Sequence, residues 1–327
     1  MGGHGLARIA GALVLAAGLL LASSPACTNE GGPRERPRQP ATGSSPFTGE
    51  QAELDRPVLA VKVDVVPSAR PPTGLDAADL VYVEPVEGGE VRLVAVFAAR
   101  RPEVVGPVRS ARESDIALLA QFGRPALAFS GSAPELDPAL REASLVLLTE
   151  ARTGRAFFRD SARVAPYNLY ARPDELLSAA EEADASRPRD VGFRFGAAPR
   201  GGEPTSRRTV SYLGARVGFD WDSAAGRWGV SLDGTPLTLA DDRRAEAATA
   251  VVQRVRVRRS SISDVAGYPS PIVETVGEGD AVVLRDGRAY EARWSRHEES
   301  AGTSFTLPSG EPALFAPGPV WIVLAPD

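Results

Sequence analysis

A glycine- and proline-rich stretch, GAAPRGGEPTSR at residues 196–207, separates two halves of the chain with different hydrophobic patterns. Before it, short β-branched runs are interleaved with segments of helical spacing, which is typical of a mixed sheet. After it, alternating runs follow one another with turn signals between them, which is typical of antiparallel sheets. The sequence therefore predicts an α+β chain. An N-terminal mixed-sheet domain with helices would cover residues 47–198, and a mostly antiparallel β domain would cover residues 206–327.

Apolar runs in the first half predict its strands and helices. The predicted strands are Val58–Val63, Leu80–Val83, Val91–Phe97, Ala126–Phe129 and Leu145–Leu148. Helical spacing predicts helices at Ala117–Phe122 and Asp174–Ala183. Gly88 and Gly89 lie between the second and third strands, and a Gly-Gly pair there favours a hairpin turn.

Alternating runs in the second half predict six strands, and turn pairs such as Asp233-Gly234 and Asp286-Gly287 separate them. The predicted strands are Val210–Phe219, Trp228–Leu232, Ala250–Val257, Ala281–Leu284, Ala289–Trp294 and Val320–Leu324.

Residues 1–27 predict a lipoprotein signal peptide. Arg8 precedes an apolar run, Ile9–Ala22, that is too short for a comfortable membrane span. Small residues then lead to Cys27, the only cysteine, and this ending is similar to a bacterial lipobox, in which the cysteine is lipidated and becomes the new N-terminus. Ser24 departs from that pattern, which usually has leucine there. Soluble export with a free thiol is the alternative.

Residues 28–46 are rich in Pro, Gly, Ser, Thr and Arg and lack an apolar period. Such a composition cannot bury enough surface to order itself, so it predicts a disordered tether. Its 19 residues would reach at most about 65 Å. We therefore expect a protein anchored to the membrane by lipid on Cys27. It would work close to the bilayer, on the extracytoplasmic face of the bacterial cell membrane.

Composition excludes several classes of function. The formal net charge of −5 disfavours a nucleic-acid-binding protein, which needs a basic face. The only histidines are His4 and His297, and a lone cysteine cannot build a thiolate zinc site, so we expect no metal site. Neither the P-loop motif nor G-x-G-x-x-G is present, so no nucleotide cofactor is indicated. Without a recognised catalytic motif, enzymatic activity stays open, and a non-enzymatic role is favoured.

The stretch GPVRSARE at residues 106–113 is the strongest candidate for a binding site. Ser110 and Glu113 have the spacing of a capping box, which predicts a helix starting at Ser110 between two arginines. A helix N-terminus beside fixed cations suits a phosphate or carboxylate. Ser132 and Glu135 form a second capping box after a predicted strand. The predicted ligand-binding residues are Arg70, Arg92, Arg109, Ser110, Arg112 and Ser132. Ion pairs that only stabilise the domain are the alternative for these arginines.

Three carboxylates in or beside apolar strands form a second candidate group: Asp64, Glu84 and Glu87. Charges so placed must be paired or hydrated, because lone burial costs several kcal/mol. Two of them could serve as general acid and base in glycoside hydrolysis. They could equally form structural salt bridges.

Several longer stretches resemble one known family. RPVLAVKVD, SARPPTGLDAADLVYVEPVEGG, VGPVRSARESDI and APYNLYA are similar to the N-terminal domain of the YerB family of bacterial lipoproteins. VETVGEGDAVVLRDGRAYEARWSR and PGPVWIVLAPD are similar to the β-rich C-terminal domain of that family. The resemblance covers residues 47–326 and implies a two-domain lipoprotein of unknown function. It supplies no catalytic residues, and Tyr167 stands where members commonly have histidine.

Together these patterns favour a non-enzymatic binding or scaffold protein of the cell envelope with an anion-accepting arginine cluster. Its partners would be the membrane and an anionic envelope ligand or a membrane protein. The alternative is a cell-envelope glycan hydrolase that uses an Asp/Glu pair. A third reading is a protein-binding module that uses strand edges or the aromatic residues Trp221 and Trp228.

Overall fold

The computed structural model describes residues 1–2, 42–264 and 267–327. The predicted signal peptide beyond residue 2, its Cys27 and residues 28–41 of the predicted tether lie outside the described residues. From residue 42 onward, the described residues belong to one compact unit. None of the helices in the described ranges is long and apolar enough to cross a membrane.

The folded unit begins earlier than the sequence predicts. Thr42–Ser44 forms strand β1, which pairs antiparallel with β2 at Gln51–Glu53. The turn between them buries Phe47, whose ring packs edge-on against Phe122 at 5.3 Å. This buried aromatic ring fixes residues 42–46 in the fold, although their composition resembles that of the tether.

Strands and short helices alternate in the first half, as the sequence predicts. The strands are β3 (Leu59–Asp64), β4 (Leu80–Pro85), β5 (Val91–Phe97), β6 (Ala126–Ala128), β7 (Val146–Leu148), β8 (Phe157–Arg159) and β9 (Leu169–Ala171). The helices are α1 (Ser114–Ala120), α2 (Asp137–Glu142), α3 (Glu150–Thr153) and α4 (Pro173–Glu182). The predicted hairpin is confirmed, because β4 and β5 pair antiparallel around Gly88 and Gly89, which have φ values of +71° and +76°.

The second half consists almost entirely of strands. They are β10 (Glu203–Pro204), β11 (Arg207–Ser211), β12 (Arg216–Asp222), β13 (Arg227–Leu232), β14 (Thr235–Pro236), β15 (Glu246–Ala247), β16 (Thr249–Val255), β17 (Val257–Ser263), β18 (Pro269–Val273), β19 (Gly277–Arg285), β20 (Arg288–Arg296), β21 (Ser304–Thr306) and β22 (Val320–Pro326). The mixed α+β class with a mostly antiparallel second half is confirmed.

One eleven-stranded sheet runs through both halves. Its order is β10-β20-β19-β16-β22-β4-β5-β3-β6-β7, and β21 pairs with β20. The last strand, β22, lies between β16 and β4 and is parallel to both. Its sequence VWIVLA is buried at every residue, as a strand covered on both faces requires. The two halves are therefore joined through a shared sheet, rather than forming the separate domains that the sequence break at residues 196–207 suggests.

Two smaller sheets complete the second half. Strands β11 to β15 form a five-stranded antiparallel sheet, whose buried residues Phe219 and Trp228 join the core on one face of the large sheet. Strands β17 and β18 form a separate hairpin. This hairpin reaches the first half, because Ser114 Oγ at the start of α1 accepts a hydrogen bond from the Val273 N–H at 2.9 Å.

Candidate functional site

Strand alternation places four charged side chains on one face of the large sheet. On β3, Ala60 belongs to the core on that face, so Lys62 and Asp64 point the same way. The register pairs Asp64 on β3 with Arg92 on β5, and Arg92 in turn with Glu84 on β4. All four residues lie near one end of three neighbouring strands. This end of the sheet carries two distinct groups of charges.

The first group is a buried cluster formed by Lys62, Glu84 and Asp115. The Lys62 ammonium lies 2.5 Å from Glu84 Oε2 and 2.8 Å from Asp115 Oδ1, and all three side chains are at most 1% exposed. Burial alone would lower the pKa of Lys62, but the carboxylates of Asp115 and Glu84 outweigh it and raise that pKa. Burial raises the pKa of Glu84 to about 7. The cluster is thus closed to solvent and holds a charged lysine.

The second group surrounds an open cleft of about 540 Å³. It is lined by the end of β3, the β4–β5 hairpin and residues 109–113. Residues 132–136 and the β17–β18 hairpin complete the lining. Five of the six predicted ligand-binding residues line this one cleft: Arg92, Arg109, Ser110, Arg112 and Ser132. The arginines that the sequence singled out are therefore brought together, and they face an accessible hollow.

Arg70 is the predicted residue that the structure places elsewhere. Its Nε donates to the Val65 carbonyl at 2.6 Å, and its Nη2 lies 2.7 Å from Asp233 on the turn after β13. Arg70 is absent from the lining of the cleft and instead connects the two halves of the chain. Its assignment to the binding group is therefore wrong.

Two of the cleft arginines are neutralised by carboxylates. Arg109 Nε lies 3.0 Å from Asp64 Oδ2, and its guanidinium stands 5.8 Å from the centre of the Tyr167 ring. Arg112 makes a bidentate contact with Glu87, with both N–O distances at 2.7 Å. The structural alternative raised by the sequence, arginines held by ion pairs, applies to these two residues, although both still line the cleft.

Arg92 differs from the other two arginines. Its side chain forms no ion pair with any described residue and makes one long hydrogen bond, at 3.4 Å, to the Ser110 carbonyl. The residue is 8% exposed, and its Nε is buried without a hydrogen-bond partner. Burial, followed by the neighbouring Arg112, lowers the pKa of Arg92 to about 10, so it stays charged at neutral pH. A buried donor without a partner costs about 1–3 kcal/mol. An anion in the cleft would face the guanidinium as a whole and offset its positive charge.

The cleft carries charges of both signs. Its lining includes three guanidiniums, Arg92, Arg109 and Arg112, and six carboxylates: Asp64, Glu87, Glu90, Glu113, Glu135 and Asp264. Asp64 and Glu87 are paired with Arg109 and Arg112. Glu113 accepts a hydrogen bond from Ser260 Oγ at 2.7 Å. The arrangement suits a ligand with one anionic group at Arg92 and hydrogen-bond donors that meet the carboxylates.

The predicted capping box at Ser110 is wrong. Helix α1 begins at Ser114, and its N-cap residue, Glu113, makes no side-chain cap. Residues 109–111 are instead held by neighbouring strands, since the Arg109 N–H donates to the Lys62 carbonyl at 2.9 Å and the Ala111 N–H to the Gly131 carbonyl at 3.0 Å. The seven-residue helix therefore offers no anion site at its start. Any anion affinity comes from guanidinium groups.

The second predicted capping box also differs from the structure. Ser132 Oγ donates to Asp137 Oδ1, the first residue of α2, and the turn before it has Ala133 as its N-cap residue. Ser132 nevertheless lines the cleft, although it does not cap a helix.

The three candidate catalytic carboxylates do not act as one group. Glu84 is absent from the cleft lining and belongs to the buried Lys62 cluster, so its inclusion in a catalytic pair is wrong. Asp64 and Glu87 both line the cleft, each against an arginine. Partial burial opposes ionisation of Glu87, but hydrogen bonds from Arg112 and Ser270 outweigh it and lower its pKa. Glu87 is therefore ionised at neutral pH and cannot donate a proton there.

Two family models match the chain over the regions that form this fold. The N-terminal domain of a protein of unknown function, DUF3048, matches residues 42–186, and the C-terminal domain of the same family matches residues 208–322. The chain belongs to the DUF3048 family. Among curated proteins, YerB of Bacillus subtilis (strain 168), which is named as a lipoprotein, is 28% identical over 294 residues and 86% of each chain.

A solved structure supports the fold of this DUF3048 chain. The crystal structure of YerB from Bacillus subtilis has a TM-score of 0.73 and 25% identity, and it covers 87% of this chain and 97% of its own. The resemblance to the YerB family is thereby confirmed. The chain is a relative of a named lipoprotein in a family without a defined activity.

Sequence reasoning missed part of the cleft in this DUF3048 chain. Ile262, Ser263 and Ser270 reach it from the β17–β18 hairpin, and Ser270 Oγ donates to Glu87. The only available signal was the polar run SSISD between two apolar stretches, which also reads as a surface loop. Tyr167, which the resemblance marked, also lines the cleft. The described residues contain no cluster of His, Cys, Asp and Glu able to hold a metal ion.

Proposed function

We propose that this protein is a membrane-anchored lipoprotein whose folded unit binds an anionic ligand of the cell envelope without chemical turnover. Lipid on Cys27 would hold it on the extracytoplasmic face. The kinship with a named lipoprotein supports the anchor. The signal-peptide pattern that ends at Cys27 supports the location.

One observation carries the binding function: the charged, nearly buried guanidinium of Arg92, which has no ion pair among the described residues and lies at the wall of an open cleft. Arg109 Nη atoms add donors beside it, because only its Nε is engaged by Asp64. A carboxylate or phosphate can accept hydrogen bonds from both groups. The carboxylates that line the cleft disfavour a densely charged ligand and favour one that carries hydroxyl or amide donors.

Calorimetric titration with phosphate, acetate and muropeptides tests this function. Arg92→Met removes the charge at the cleft wall and keeps an apolar stem, and binding is expected to fall at least tenfold. Arg200→Met is the matched control, because Arg200 is exposed and its side chain makes no hydrogen bond or ion pair with the described residues. Equal affinities of both variants and the wild type would refute the proposed binding site.

The anchor has its own test. Cys27→Ala should move the protein from the membrane fraction of a bacterial host to the soluble fraction, and labelling with an alkyne fatty acid should disappear. Retention in the membrane by the variant would refute lipid anchoring at Cys27.

The hydrolase alternative rests on one observation, that Asp64 and Glu87 line the same cleft. It has less support, because Glu87 is held ionised and Glu84, whose pKa near 7 would suit a general acid, lies outside the lining. Incubation with peptidoglycan fragments, followed by chromatography, distinguishes the two functions. Turnover that Asp64→Asn abolishes would favour the hydrolase.

A further inference from the structure

A second hollow adjoins the cleft at the carboxyl ends of the parallel strands β6 and β7. It measures about 530 Å³, and Ser132 lines both hollows. Strands β3, β6 and β7 are parallel neighbours, so their carboxyl ends meet at one edge of the sheet. Asp64 ends β3 in the first hollow, whereas Ser130 and Thr149 follow β6 and β7 in the second. The two hollows therefore lie side by side along the carboxyl edge of the sheet, and together they are called the groove below.

Two free guanidinium groups mark the second hollow. Arg141 on α2 and Arg152 on α3 both line it, both are exposed, and neither side chain makes a hydrogen bond or ion pair with the described residues. Of its two carboxylates, Glu150 is held by Arg159 at 2.8 Å, and Asp137 accepts from Ser132. The two arginines are unpaired, whereas both carboxylates already have partners. This hollow should therefore attract an anion.

The groove between the two arginine groups is polar and hydroxylated. Its midpoint carries Ser130 and Ser132, and the Ser110 and Ser130 hydroxyl oxygens lie 3.4 Å apart. Glu135 stands at the same junction. Hydroxyls and carboxylates accept hydrogen bonds from a ligand's own hydroxyls, whereas Leu140 and Leu147 offer a small apolar surface for its C–H faces.

We infer that the natural ligand is an anionic oligosaccharide that spans both hollows, with one acidic sugar at Arg92 and a second at Arg141 and Arg152. This inference rests on the proposed binding function and specifies its ligand class. Two linked acidic groups would engage two adjoining subsites, so the second binding event becomes intramolecular and raises the affinity. A single acidic sugar would engage only one subsite at a time.

Titration with galacturonate and trigalacturonate tests the inference, with triglutamate as a peptide of comparable charge. The wild type should bind trigalacturonate roughly tenfold or more tightly than galacturonate. Arg141→Gln/Arg152→Gln should remove that gain, while galacturonate should still bind at the Arg92 cleft. Arg155→Gln/Arg200→Gln is the matched control, because it removes the same charge from exposed positions outside both hollows and should alter trigalacturonate affinity less than twofold.

Other results of these titrations would refute the second subsite, the sugar class or the proposed function. If trigalacturonate binds no more tightly than galacturonate, or if Arg141→Gln/Arg152→Gln leaves its affinity intact, the second subsite is refuted while the cleft survives. If triglutamate binds as tightly as trigalacturonate, the ligand is an acidic peptide and not an acidic sugar. If neither sugar binds, or if Arg92→Met leaves galacturonate binding unchanged, the proposed function itself fails.

Discussion

The buried Lys62 cluster and the Arg92 cleft use similar residues on the same three strands, yet they serve different ends. Lys62 and Arg92 each neighbour Glu84, the first by an ion pair and the second by strand register. The lysine is fully enclosed, and both of its carboxylate partners are at most 1% exposed. Arg92 lies at an open hollow without an ion pair among the described residues. Solvent access and the lack of an ion-pair partner, rather than residue type, separate the binding charge of Arg92 from the structural charge of Lys62.

The comparison predicts that the Lys62 cluster matters most for stability. Lys62→Met leaves Glu84 and Asp115 buried without a cation, which should lower the free energy of unfolding by roughly 3–5 kcal/mol. Urea denaturation followed by circular dichroism measures this change. Lys62→Met/Glu84→Gln is the matched variant and should recover part of the loss, because one buried carboxyl is then neutral. A loss below about 1 kcal/mol for Lys62→Met would contradict the assignment.

The same cluster should make stability depend on pH. Burial raises the pKa of Glu84 from 4.5 to about 7, so the fold favours its protonated form. The contribution of Glu84 to the free energy of unfolding should therefore be greatest below pH 4.5. It should fall by on the order of 3 kcal/mol as the pH rises towards 7. Glu84→Gln should flatten much of that slope in denaturation curves between pH 4.5 and 7. Asp79, whose pKa burial raises to about 6, should account for a remaining slope of the same sign.

A half-buried pair in the cleft should have an intermediate effect. Arg112→Gln breaks the bidentate contact with Glu87 and should cost roughly 1.5–3 kcal/mol of stability. The pKa of Glu87 should then rise, because its strongest hydrogen-bond donor is lost. Thermal denaturation gives the first quantity, and carboxyl-carbon NMR titration gives the second. An unchanged Glu87 pKa would mean that Ser270 alone holds the carboxylate.

Arg92 should matter least for stability and most for binding. Arg92→Met removes a buried Nε that has no partner, so the free energy of unfolding should change by less than about 1 kcal/mol. Urea denaturation tests this beside the binding titration. If Arg92→Met lowered the free energy of unfolding as much as Lys62→Met, Arg92 would be a structural residue, and the two groups would not differ.

Local patterns predicted more of the fold than of the site. The apolar run at Val58–Val63 and the Gly88-Gly89 turn encode β3 and the β4–β5 hairpin through short-range preferences. The insertion of β22 beside β4 joins residues about 240 positions apart, and no local signal specifies that pairing. The two halves consequently share a sheet that their sequence patterns do not reveal.

The candidate site shows the same division. Period-two alternation suffices to place Asp64 and Arg92 on one face, and five predicted residues do meet in one cleft. The helix start at Ser110 fails because tertiary contacts overrule the capping pattern. Asp115, five residues after Ser110, is held by Lys62 and by the Arg112 N–H. Whether an arginine is paired depends on such distant partners.

The NMR signal of the Arg92 guanidinium gives the most direct test of anion binding in the cleft. In arginine-labelled protein, the Arg92 Nε–H resonance can be assigned by its loss in Arg92→Met and followed during titration with phosphate or galacturonate. We expect a saturable shift of this resonance and of Arg109 Nε–H, with one shared affinity, while Arg70 Nε–H stays unmoved. Resonances of Arg92 that do not respond, at ligand concentrations where other arginines shift, would contradict the central claim that this cleft accepts an anion.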